Sequence, residues 1–67
     1  MQDIHDCKGH LVCKGEPING LVEAVYKRQL TKTHLGVGGE FTIEREGSRT
    51  VVTRKSRSEF KIDSYEL

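Results

Sequence analysis

Four soft side chains stand close together near the start of the sequence: His5, Cys7, His10 and Cys13. Imidazole nitrogen and thiolate sulfur are ligands that zinc takes in a tetrahedron. Cys7-x2-His10-x2-Cys13 has knuckle-like spacing, and His5 offers a fourth ligand. The spacing also argues against a metal. Structural zinc sites draw ligand pairs from separate segments, because cross-linking them turns metal binding into folding free energy. Here only His34 lies elsewhere, and ligands from one short run tie the chain to itself. The plainer reading is a strand on which Cys13 acts as a small hydrophobe and the histidines meet solvent. No cofactor is expected, with zinc at these four residues as the alternative. A Cys7–Cys13 disulfide is a further alternative in an oxidising setting. The spacing is not the Cys-x-x-Cys of thioredoxin-type chemistry.

Cys7 or Cys13 with His5, His10 or His34 would supply a nucleophile and a base. Nothing in the sequence orients a third group or builds an oxyanion hole. A chain of 67 residues also leaves little room for a substrate pocket of several hundred Å³. The glycine-rich "GVGGE" at 36–40 lacks the pattern of a phosphate loop and leads into a strand rather than a helix. No enzyme is expected.

The basic residues carry the first functional expectation. In "RTVVTRKSRSEFK" the cations Arg49, Arg54, Lys55, Arg57 and Lys61 are interrupted by the single anion Glu59. On one face they would meet nucleic-acid phosphates, with Ser56 and Ser58 adding hydrogen bonds. Lys27, Arg28 and Lys32 form a second group. Two features oppose this. Glu40, Glu44, Glu46 and Glu59 are interleaved with the cations, and exposed aromatics for base stacking are scarce. Lys and Arg on strands also serve simply to prevent edge-to-edge aggregation.

These residues must be positioned by short strands. Turn signals recur about every ten residues, at Gly9, Gly15, "PING", "GVGG" and "EGSR". The segment 40–55 reads as a hairpin with Gly47-Ser48 as a two-residue loop, so that Glu46 faces Arg49 and Ile43 faces Val52. "EFKIDSY", 59–65, alternates with Phe60 and Ile62 on one face, a third strand. Asn19-Gly20 reads as a hairpin turn between "HLVCKGEPI" and "LVEAVYK". Residues 21–34 also fit a helix, since Leu21, Val22, Val25, Tyr26 and Leu30 share a helical face and Glu23 and Lys27 sit four apart. The expected fold is mainly β: a compact antiparallel small barrel or rolled sheet of five or six short strands, SH3-like. The alternative is α+β, with one helix near 21–34 on a three- or four-stranded sheet. The whole chain is expected to be one small domain, with residues 1–8 a loose lead-in.

Within this frame, "LGVGGEFTIEREGSRTVVTRK" at 35–55 resembles the second half of the AbrB/MazE swapped-hairpin transcription factors. There a Leu-Gly-hydrophobic step and a glycine precede a β-hairpin that ends in basic residues. The likeness covers about a third of the chain. The loop after Leu35-Gly36 is shorter, and "VYKRQLTK" replaces the expected upstream Ile-Pro-x-x-(Ile/Leu)-Arg segment. The resemblance implies DNA binding.

Composition sets the remaining bounds. The net charge is +1, with charged residues at 31% and hydrophobic ones at 34%, a balance that excludes a disordered acidic or basic tail. No apolar run approaches a membrane span and no secretory pattern opens the chain, so a cytoplasmic location is expected. A chain this short builds a thin core, which a partner or a second copy would supplement. The expected function is a non-enzymatic binding or regulatory module that contacts nucleic-acid backbone. The alternative is a protein-interaction module or homodimer acting through an edge strand or an apolar patch.

Overall fold

The computed structural model describes residues 1–26 and 28–67. It contains seven strands: β1 (Gln2–His5), β2 (Leu11–Glu16), β3 (Leu21–Tyr26), β4 (Gln29–His34), β5 (Glu40–Arg45), β6 (Ser48–Ser56) and β7 (Glu59–Glu66). They form two antiparallel meanders, β1-β2-β3-β4 and β5-β6-β7. The mainly-β expectation is met, with more strands than expected and two sheets instead of one closed barrel. The helix considered over 21–34 is replaced by β3 and β4. β-Branched Val22, Val25, Thr31 and Thr33 favour the pleated surface. Gly20 (φ 76°) and Arg28 (φ 68°) turn the chain before each of these strands. Lys27, the helical partner considered for Glu23, lies outside the described residues.

The core lies between the sheets. Ile4, Val12, Cys13 and Val22 from the first meet Val52 and Phe60 from the second, all buried. Residues 2–5, expected within a loose lead-in, form a paired strand that delivers Ile4 to this core. The β1–β2 register shifts so that Ile4 faces Cys13 and His5 faces Leu11. Val12 is thus the extra residue of a bulge, and Val12 and Cys13 in succession turn inward. Gly15 is required where it stands: a Cβ there would sit 2.7 Å from Cε2 of Phe60.

The β5–β6 loop is Glu46-Gly47, with φ of 51° and 80°, the positive pair of a type I′ turn. Arg45 therefore faces Ser48, Glu44 faces Arg49, and Phe41 faces Val52. The expected register differs by two residues. Because side chains alternate with period two, Ile43 and Val52 still point to the core side. Phe60 is buried and Lys61 exposed on β7, as the alternation predicts.

Candidate interaction surface

The four candidate metal ligands do not converge. His5 is exposed opposite Leu11. Cys13 is in the core, where burial pushes its thiol up to about 11. Cys7 is exposed, and both thiols are free rather than joined in a disulfide. His34 stands opposite Leu21 on β4. Among the described residues, no three His, Cys, Asp or Glu are grouped to hold a metal ion.

His10 instead belongs to a hydrogen-bonded latch organised by Asp6, a residue that is not among the candidates the sequence singles out. The Asp6 carboxylate is fully shielded from solvent. Its Oδ1 accepts from the N–H groups of Lys8 and His10, both at 2.9 Å. Its Oδ2 accepts from the Ser48 hydroxyl at 3.2 Å and lies 3.3 Å from His10 Nδ1. Burial pushes the Asp6 carboxyl up, and the hydrogen bonds from His10, Lys8 and Ser48 outweigh it, so its pKa lies below the ordinary value. The loop also grips the second sheet: Cys7 N–H donates to Ser64 Oγ at 2.8 Å, and Lys8 Nζ donates to the Glu46 carbonyl at 3.1 Å. A signal was present in "DCKG". Asp at the first and Gly at the fourth position mark a type I turn, and Gly9 N–H donates to the Asp6 carbonyl at 3.0 Å.

The cations of 49–61 are also dispersed. Arg49 and Lys61 project from the outer face of the second sheet. Arg49 Nε donates to Glu44 Oε1 at 2.7 Å and its guanidinium also bonds Tyr65. The Tyr65 hydroxyl, then the Glu44 carboxylate, hold the Arg49 pKa above its ordinary value. Lys61 Nζ lies 3.6 Å from Asp63. Arg54 points the other way, into the molecule. It is buried and donates to three carbonyls: Pro17 at 2.9 Å, Leu35 at 2.9 Å and Ile18 at 3.0 Å. Lys55, at a bulge, and Arg57, in the β6–β7 loop, are exposed.

The end of the β3–β4 hairpin runs past its neighbour β2. β2 and β3 pair only from Glu16↔Leu21 to Lys14↔Glu23. β3 and β4 continue beyond, through Ala24↔Thr31, Val25↔Leu30 and Tyr26↔Gln29. The β2–β3 ladder ends at Lys14↔Glu23, so beyond Ala24, which still packs on the core, Val25 and Tyr26 with Gln29 and Leu30 form an arm flanked by two clefts of about 250 Å³ each. One cleft separates Val25 from Leu11, Val12 and Cys13. The other lies between the inner face of β3, at Ala24 and Tyr26, and Phe41 and Ile43 of β5. On the outer face Val25 and Leu30, directly opposed, are 61% and 57% exposed, and Leu11 is 42% exposed. Arg45 braces the far end of the arm on its inner face. Its guanidinium carbon lies 4.4 Å from the Tyr26 ring centroid, and Nη1 donates to the Leu11 carbonyl at 3.1 Å.

β4 is also an edge strand. Leu35 N–H donates to the Gly20 carbonyl at 2.8 Å, which fixes the hydrogen-bonded rungs as 20/35, 22/33, 24/31 and 26/29. The main-chain groups of Leu30, Lys32 and His34 therefore point away from β3, along the open edge.

No family model, curated protein or solved structure matches the chain. Of residues 35–55, which resemble the AbrB/MazE hairpin, 40–55 form the β5–β6 hairpin. No helix among the described residues is long and apolar enough to cross a membrane.

Proposed function

We propose that this chain is a non-enzymatic protein-interaction module that binds through the β3–β4 arm. One observation carries the reading: the arm outruns the sheet that should support it while exposing the opposed apolar pair Val25 and Leu30. An isolated two-stranded ribbon is marginal in water, and a third strand or an apolar cover stabilises it. An edge with unpaired main-chain groups beside apolar side chains is the surface that strand addition uses. Nucleic-acid binding draws less support, because Arg54 is occupied internally and Arg49 and Lys61 have acidic neighbours.

A photo-crosslinking amino acid placed at Leu30 tests the reading in extract of the expressing cells. The control site is Val37, which is similarly exposed but lies outside the arm. A discrete protein adduct from position 30 and none from position 37 is the expected result. No adduct from position 30 overturns it.

A further inference from the structure

We infer that the occupant of the β4 edge is a second copy of this chain, paired antiparallel across a two-fold axis at Thr31. This rests on the arm-binding reading and names its partner. An isologous contact requires a self-complementary patch. The outward main-chain groups of Leu30 and Lys32 meet this condition. With the axis at Thr31, Leu30 faces Lys32 of the second copy and Lys32 faces its Leu30. Both are hydrogen-bonding rungs, giving four main-chain bonds.

Side chains select this register over its neighbours. With the axis at Lys32, two lysines would face each other. With the axis at Leu30, Lys32 would face Arg28. Like charges directly opposed disfavour both. The Thr31 axis brings threonine against threonine and Gln29 against Thr33 on the inner face. On the outer face the two Leu30 side chains become diagonal neighbours, within reach of each other. Val25 and Leu30 of one copy then continue into Leu30 and Val25 of the other as an apolar strip. The Lys32–Glu23 ion pair, 3.2 Å within each copy, flanks it on both sides. Each lysine stem covers the facing leucine while its ammonium stays with Glu23. The two four-stranded sheets become one continuous sheet and both β4 edges disappear. An edge-to-edge contact of this kind is small, so association falls in the weak, concentration-dependent class.

The register is read by disulfide trapping in a Cys7→Ser background. Residues opposed on a non-hydrogen-bonded rung have Cα atoms about 4.5 Å apart, within the span of a disulfide. Thr31→Cys is therefore expected to form a covalent dimer under mild oxidation at least about ten times faster than Gln29→Cys. Both residues are exposed on the same face of β4, but the two copies of position 29 are about four residues apart along the strand, roughly 13 Å. Sedimentation velocity of the unmodified chain, across the micromolar range, is expected to show a monomer–dimer equilibrium. Lys32→Pro, which removes an outward N–H, is expected to shift it to monomer without unfolding the chain. Equal trapping rates, or a monomer at every concentration, overturn the proposal. If Leu30 then cross-links to a different protein, the interaction-module reading survives and the second copy is the part that fails. If Leu30 cross-links to nothing, both fail.

Discussion

The Arg54 guanidinium donates to the Leu35 carbonyl at 2.9 Å, and so binds the end of β4 to β6 across the two sheets. The same group holds Pro17 and Ile18 of the β2–β3 loop. One planar donor fork thus closes one end of the sandwich. Arg54→Ala leaves three carbonyls without their charged donor and is expected to lower unfolding free energy by about 2–4 kcal/mol, measured by urea denaturation. Arg54→Lys keeps the charge and loses the fork, so it is expected to recover less than half of that. Equal stability of all three proteins would show that the clamp contributes nothing.

Gly15 and Phe60 approach closely in the core, since an added Cβ would sit 2.7 Å from the ring and 3.1 Å from the Leu21 carbonyl. Gly15→Ala is expected to cost about 1–3 kcal/mol through overpacking. Phe60→Leu leaves room for the methyl group, and in that background the same change is expected to cost less than half as much. A double-mutant cycle measures the coupling, and simple additivity would refute it.

The hairpins were legible because their signals are local. β-Branched residues and glycines at positive φ mark strands and turns within a few positions of each other. The loop falls one residue earlier than its glycine suggests because Glu46 accepts a positive φ that sequence usually reserves for glycine or asparagine. β1 carries little signal in the sequence because Ile4 is its sole apolar residue, and its pairing with β2 includes the bulge at Val12. Arg54 was readable in principle. The alternation that sends Val52 inward sends residue 54 inward too, and only the partners across the sheets reveal why a cation belongs there. The arm was not legible. Its exposure follows from where the β2–β3 ladder stops, which is a property of three strands together.

Asp6 sets the acid response of the β1–β2 loop. Its folded pKa lies below the ordinary 3.8, so the folded state holds the carboxylate form more tightly than the unfolded chain does. The stabilisation is complete above the unfolded value, and it is lost as pH falls through the folded one. Wild-type stability, followed by urea midpoint, is therefore expected to fall below about pH 4 more steeply than that of Asp6→Asn, whose amide does not titrate. The variant is expected to be the less stable of the two at neutral pH, because its NH2 group meets donors already aimed at Oδ2. Parallel pH profiles for the two proteins would remove Asp6 from the acid transition.

The two thiols are expected to differ sharply in reactivity. Cys7 is exposed, whereas Cys13 is buried and its thiol is raised to about 11. Thiolate is the reacting species, so at pH 8 Cys13 is slowed both by access and by protonation. Native protein treated with iodoacetamide is expected to gain one adduct by mass, mapped to Cys7, and a second only in denaturant. The lag before the second adduct in dilute urea then reports opening of the β1–β2 bulge, because Val12 and Cys13 leave the core together. Two adducts at equal rates in the native protein would mean that this bulge is open in solution.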